Sequence, residues 1–322
     1  TSQIDQKALK RLHDSLKRNK VDVGEYSHIA WGRVHESIED DDLAGLLEEI
    51  LQKENGYFQA AEILKMRFHQ KKDPSLHSSK LLSVARATLA ACDFSGGRRG
   101  HDLMDYDLGE IATVCLSEKG HAKEVKEICD NLYEAIVANR VYGSSLKKYM
   151  ATLSEKQPLI FLESFLGNKE VSDFKRSRIF SSNFERGENP LNRISDQTLI
   201  DWCDEDPESR YPLIADALQP FEKCSETGNM VWRKVVYSLL EKAPDLKSIL
   251  DNLTGSIRPG GWSGSLADIL QTRLTLFEEL KDHPNEEVRS WSKGQLSSLR
   301  REIEDIREWE DKRNRDINES FE

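Results

Sequence analysis

The stretch that decides the fold reads Asp282-His283-Pro284-Asn285-Glu286-Glu287-Val288-Arg289-Ser290-Trp291-Ser292. It is a joint between two helices. A run of helical periodicity ends at Leu280, Pro284 falls at the first turn of the next helix, and an amphipathic helix begins at Val288. Proline is tolerated at a first helical position because that N–H has no partner in any case. Glu286 and Glu287 suit the positive end of a helix dipole. A joint this short makes its two helices antiparallel neighbours. The expectation is a chain of stacked helix pairs, a binding scaffold rather than an enzyme core.

The same pattern recurs outward from the joint. Leu266, Ile269, Leu270, Leu274, Phe277 and Leu280 step by three and four along one helical face. Val231, Trp232, Val235, Val236, Leu239 and Leu240 make a second stripe, and Leu213, Ile214, Ala217, Leu218 and Phe221 a third. Upstream, Leu81, Leu82, Ala85, Leu89 and Cys92, and Val125, Ile128, Cys129, Leu132 and Ile136, do likewise. Stop-and-cap signals stand between them at Asp73-Pro74, Ser195-Asp196, Asp206-Pro207-Glu208 and Ala243-Pro244-Asp245. No run alternates with period two, and no Asn-Gly or Asp-Gly pair separates apolar runs. The predicted fold is all-α, with essentially no sheet. The Asp/Pro/Val/Arg joint resembles that of HEAT-type repeats, which implies a degenerate solenoid of antiparallel helix pairs, HEAT-like or TPR-like. The expected organisation is a helical-repeat segment over 1–166, a long insertion over 167–194, HEAT-like pairs over 195–295 and a charged terminal helix over 296–322.

Composition agrees. The chain has 322 residues, too many for one small core. It starts at Thr1, so a processed or excised piece is expected. Charged residues make up 32% and hydrophobic ones 38%, which suits a repeat array that exposes much surface. Six Trp, eleven Phe and eight Tyr argue for packed cores over disorder. The net charge of −11 disfavours general nucleic-acid binding, which needs clustered Lys and Arg. Cys92, Cys115, Cys129, Cys203 and Cys224 are odd in number and lack CxxC spacing, so they read as reduced, buried thiols of a cytoplasmic protein. No segment approaches a membrane span, and no signal peptide is visible at the start.

Three stretches interrupt the rhythm: 93–107, 167–192 and 254–264. The first holds Gly96-Gly97-Arg98-Arg99-Gly100-His101, where glycines and arginines could cradle an anion, but no P-loop Lys-Ser/Thr follows. An exposed loop is the simpler expectation. His101-Asp102 with Asp105 and Asp107 has the flavour of a metal-dependent phosphohydrolase dyad, yet His69, His77 and His121 show no spacing that would complete one. No metal or cofactor is expected. The second stretch gathers Lys175, Arg176, Arg178 and Arg186, with Arg193 just beyond it, among Phe174, Phe180 and Phe184. Cations beside aromatics can grip an acidic partner, although the phenylalanines equally suit pinning the loop to a helical layer. The third contains Trp262, grouped with Trp202, Trp232 and Trp291 as core. Glu39-Asp40-Asp41-Asp42 reads as a helix N-terminus, its Gly and Glu positions being wrong for a calcium loop. The candidate partner-binding residues are therefore Arg98, Arg99, His101, Lys175, Arg176, Arg178, Arg186 and Trp262. No nucleophile with a matched base is visible, so no catalytic residue is assigned.

Residues 190–322 carry a family resemblance. Pro190-Leu191 through Ile194, Leu199-Ile200-Asp201-Trp202-Cys203 and Asp206-Pro207 form one part. Ile257-Arg258-Pro259-Gly260-Gly261-Trp262-Ser263-Gly264-Ser265, Arg273-Leu274, Asp282-His283-Pro284, Val288-Arg289 and the charged end through Arg315-Asp316 to Phe321-Glu322 form the other. Together they resemble the C-terminal helical-repeat region of large bacterial antiphage defence proteins, of the STAND ATPase or sirtuin-bearing type. The resemblance implies a sensor that binds a phage protein and activates modules outside this chain. A general HEAT-type assembly scaffold and a HEAT-like nucleic-acid-binding protein or enzyme are the rival expectations. The oligomeric state stays open.

Overall fold

The computed structural model describes residues 6–20, 22–69, 71–94, 101–118, 120–167, 179–180, 189–226 and 228–320. The chain is 74% helical, with fifteen α-helices among the described residues. It divides into two compact units, Thr1–Glu170 and Val171–Glu322.

The first unit holds α1 (Gln6–Lys17), α2 (Ser27–Trp31), α3 (Asp40–Leu51), α4 (Gly56–His69), α5 (Ser79–Ala90), α6 (His101–Cys115), α7 (Ala122–Val137), α8 (Lys147–Lys156) and α9 (Pro158–Phe165). Each helix packs on the next but one. Thus α1, α3, α5, α7 and α9 line up in one row, and α2, α4, α6 and α8 in another, with α3–α4, α4–α5, α5–α6 and α8–α9 contacts between rows. Leu43, Leu46, Leu47 and Ile50 of α3 and Ile63 and Leu64 of α4 are fully enclosed between the rows. The α3–α4 turn needs glycine at 56, where a Cβ would lie 1.9 Å from the Ile50 carbonyl oxygen. Asp40 opens α3, as the acidic run predicts. At the start of α5, Ser78 caps by accepting the Leu81 N–H at 3.2 Å.

The second unit holds α10 (Asp196–Glu205), α11 (Pro207–Ala217), β1 (Phe221–Lys223), β2 (Met230–Trp232), α12 (Lys234–Lys242), α13 (Leu246–Ser256), α14 (Leu266–Leu280) and α15 (Glu286–Ser320). Here α10 packs on α12, α11 on α13, and α14 lies along α15. The predicted caps are in place: Ser195, Asp206 and Asp245 accept the N–H groups of Thr198, Ser209 and Ser248.

Two local expectations need correction. The stripes assigned to single helices over 213–221 and 231–240 are broken by a hairpin, with Phe221 opposite Trp232 and Lys223 opposite Met230. Pro220 disfavours helix at the residue before it, so α11 stops at Ala217 and Leu218 and Phe221 leave the helix. The hairpin is held from outside: the Trp232 indole N–H donates to the Leu276 carbonyl at 2.7 Å, and Thr275 Oγ1 donates to the Met230 carbonyl at 2.9 Å. At the deciding joint, Pro284 precedes the helix rather than sitting in its first turn. The cap is Asn285, whose side-chain oxygen accepts the N–H of Glu287 at 2.8 Å. The face beyond it packs as its spacing predicts. Val288 is fully enclosed, and Trp291 sits edge-on to Phe277 with ring centres 5.3 Å apart.

Polar contacts between helices recur at similar sequence separations. In the first unit Tyr57–Asp93 spans 36 residues, Arg86–Glu124 38, Asn131–Ala90 41 and Tyr149–Asp105 44. In the second Arg233–Asp196 spans 37, Tyr237–Glu279 42 and Thr275–Met230 45.

Candidate partner-binding surface

Of the residues selected from the sequence, Arg98, Arg99, Lys175, Arg176, Arg178 and Arg186 lie outside the described residues, as does the side chain of His101, which opens α6. Trp202 and Trp232 are buried and Trp291 is half-buried, but Trp262 is 50% exposed and leaves the core group. It stands on the loop between α13 and α14. That loop is strapped to α15 by Arg258–Glu302 at 3.1 Å and by Ser265 Oγ donating to Glu310 at 2.7 Å.

Of the carboxylates that evoked a metal dyad, the Asp102 side chain lies outside the described residues, and Asp105 and Asp107 have structural partners. Asp105 accepts the backbone N–H groups of Lys148 at 3.1 Å and Tyr149 at 2.8 Å, holding the start of α8. Asp107 pairs with Lys65 at 2.7 Å. Among the described residues no three His, Cys, Asp or Glu side chains stand close enough together to hold a metal ion. None of the described helices is long and apolar enough to cross a membrane. All five cysteines are free thiols, four of them buried and Cys224 half-buried.

What the row of α2, α4, α6 and α8 does present is a line of alternating aromatics and cations. Trp31, at the end of α2, is 60% exposed and donates its indole N–H to Glu62 at 3.0 Å. Lys65 of α4 lies 5.7 Å from the Trp31 ring centre and 5.6 Å from that of Tyr106 on α6. Tyr106 is 42% exposed, and Lys148 of α8 covers it at 3.8 Å. Such cation–π contacts hold the ring faces in fixed orientation. Beneath them Glu110, almost fully buried, binds Lys148 at 2.5 Å and Lys72 at 2.9 Å. Burial would raise the Glu110 pKa, but the two lysines outweigh it and hold the carboxyl below its usual range. The surface is thus amphipathic, and its lysines are paired with carboxylates.

None of these residues stood out in the sequence. They come from four helices, and only the packing of each helix on the next but one brings them into line. Compared with family models, with curated proteins and with solved structures, the chain matches none.

Proposed function

We propose that this chain is a helical-repeat recognition module that binds a protein partner across the Trp31–Lys65–Tyr106–Lys148 surface. The observation that carries the reading is the pair of exposed rings, Trp31 and Tyr106, oriented by lysines that are themselves paired with carboxylates. Trp and Tyr are the side chains that dominate protein interfaces, and pre-ordered rings give up little entropy on binding. Because Lys65 and Lys148 are neutralised by Asp107 and Glu110, affinity on this reading depends on aromatic contact more than on long-range attraction, and varies little with salt. The contact separations of 36 to 45 residues favour a two-helix repeat, since HEAT and armadillo repeats run to roughly 40–47 residues. On the resemblance of residues 190–322, the module is the sensor part of a larger bacterial antiphage defence protein, with no catalytic step of its own.

The test places a photo-cross-linking amino acid at 31 or 106 in the natural polypeptide, in bacteria challenged with phage. A phage protein cross-linked at these positions, with protection lost in Trp31→Ala/Tyr106→Ala, is the expected result. Protection that survives the double substitution would move the contact elsewhere. Plaque numbers equal with and without the gene would remove the defence reading altogether.

A further inference from the structure

The turn that joins α2 to α3, Val34–Ser37, carries a histidine outside the aromatic surface. His35 is 2% exposed, and neither of its ring nitrogens has a hydrogen-bond partner among the described residues. A buried polar group left unpaired costs stability, and an apolar side chain of similar shape would avoid that cost. The backbone beside it is strained as well. Arg33 lies in the left-handed region at φ +58°, where a side chain is disfavoured. Contacts outside the ring hold the turn shut: Arg67 of α4 donates to the His35 carbonyl at 2.7 Å, and Arg33 pairs with Glu36 at 2.7 Å. The helices packed on the turn, α2 and α4, bring no acid to the ring. On α2, His28 is exposed and pairs with Glu25. On α4, Glu62 accepts the Trp31 indole N–H, Lys65 pairs with Asp107, Arg67 pairs with Asp40, and His69 is exposed. Burial pushes the His35 pKa below its usual range; the adjacent Glu36 opposes this, and Arg67 and Arg33 reinforce it.

We infer that this turn is an acid-sensitive latch: a proton on His35 opens segment 32–38 and frees Trp31 from its contacts with Glu62 and Lys65. The imidazolium carries two N–H donors into an enclosure that offers its ring no acceptor, with Arg33 and Arg67 near enough to repel it. The opened segment takes up the proton at the ordinary imidazole value of about 6.5. The closed ring resists it, so the open state binds more protons, and opening is favoured as pH falls below that value and suppressed above it. The opening equilibrium then rises towards about tenfold for each pH unit. Opening also relieves the strain at Arg33. His77 acts the other way, because a proton there strengthens its contact with the Asp40 carboxylate. Trp31 is the last residue of α2 and directly precedes the segment, so it moves with it. The consequence for partner binding rests on the reading of Trp31 given above.

The experiment follows amide hydrogen exchange of the full chain from about pH 7.5 to about pH 5.5, the span in which an imidazole titrates. Rates are expressed as protection factors, so that the pH dependence of intrinsic exchange cancels. The amides of Gly32, Arg33 and Glu36, bonded to the carbonyls of His28, Ala30 and Arg33, are expected to lose about tenfold in protection per pH unit below about 6.5. Amides within α7, which packs on α5 and α9, are expected to keep theirs. His35→Phe should abolish the loss. Should that variant misfold, an NMR titration of the His35 ring in the native protein gives a second reading, with an expected midpoint below about 6.5. Protection that stays constant with pH overturns the latch. So does an equal loss in α7, a loss that a folded His35→Phe leaves unchanged, or a His35 ring that titrates at or above about 6.5. Exchange needs no partner, so its failure leaves the reading of Trp31 standing, and a failed cross-link at 31 leaves the latch standing.

Discussion

The Arg67 guanidinium holds the Asp40 carboxylate at 2.5 Å and so ties the last turn of α4 to the first residue of α3. Asp40 also accepts the backbone N–H of Ser78 at 2.7 Å, and His77 Nδ1 lies 3.5 Å away, at the outer limit of a hydrogen bond. One carboxylate thereby joins three consecutive helices, α3, α4 and α5. Burial would raise its pKa, but His77, Arg67 and the Ser78 N–H outweigh burial and hold it well below the usual carboxylate range.

A carboxyl with a depressed folded-state pKa stabilises the protein above its unfolded pKa of about 4, and that stabilisation disappears as pH falls below it. Asp40→Asn is therefore expected to cost about 2–3 kcal/mol at neutral pH, below the roughly 3–5 kcal/mol of breaking a fully buried pair because this one is partly exposed. The difference from the native protein should shrink steadily below about pH 4. Urea midpoints for both proteins across this range check the prediction, and a gap that stays constant with pH would refute it.

Trp291 joins α15 to two other helices. Its indole N–H donates to Thr254 Oγ1 of α13 at 3.0 Å, and its ring meets Phe277 of α14. Trp291→Ala should destabilise the second unit by about 3 kcal/mol, the lower end for a large aromatic because this one is half-buried. Trp291→Phe should recover most of that loss, and thermal unfolding of both variants separates ring packing from the hydrogen bond.

The thiols should differ sharply in reactivity. Burial pushes Cys115 and Cys203 up to about 12, and pushes Cys92 higher still. Only a thiolate reacts quickly, so these are inert while folded. A disulfide reagent is expected to label Cys224 alone in the native state and all five cysteines in denaturant. Mass mapping of the labelled peptides reads the outcome, and rapid native labelling of Cys115 or Cys203 would contradict it.

Among the described side chains of α15, contacts to the other helices extend as far as Glu310. Ile303 is buried, and Glu310 binds both the Ser265 hydroxyl and the Leu266 N–H, but residues 311–316 are exposed. Deleting 312–322 should shift Tm by no more than about 2 °C. Deleting from 302 onward removes Ile303 and the Glu310 contact at the start of α14, and should lower it by roughly 5 °C or more. Paired melting curves decide between a supporting helix end and a projecting one.

By itself the sequence determined the helical class, the starts of several helices and much of the core. These rest on local physics: apolar residues at three-four spacing, and a Ser, Asp or Asn oxygen placed to meet a free N–H, as at Ser195, Asp206 and Asp245. The end of α11 was missed: Pro220 marks it, but Leu218 and Phe221 continue the apolar spacing of the residues before it. Tertiary structure alone decided which residues meet. Trp262 has the composition of a core residue and stands in solvent, because the strap to α15 holds its loop outside the packed face. Trp31, Lys65, Tyr106 and Lys148 are unremarkable in four separate helices and become one surface only when those helices stack. Arg273 reads as one polar position on an amphipathic stripe. That its enclosed Nε meets no partner among the described residues is a property of the space between helices, which no spacing along a single helix encodes.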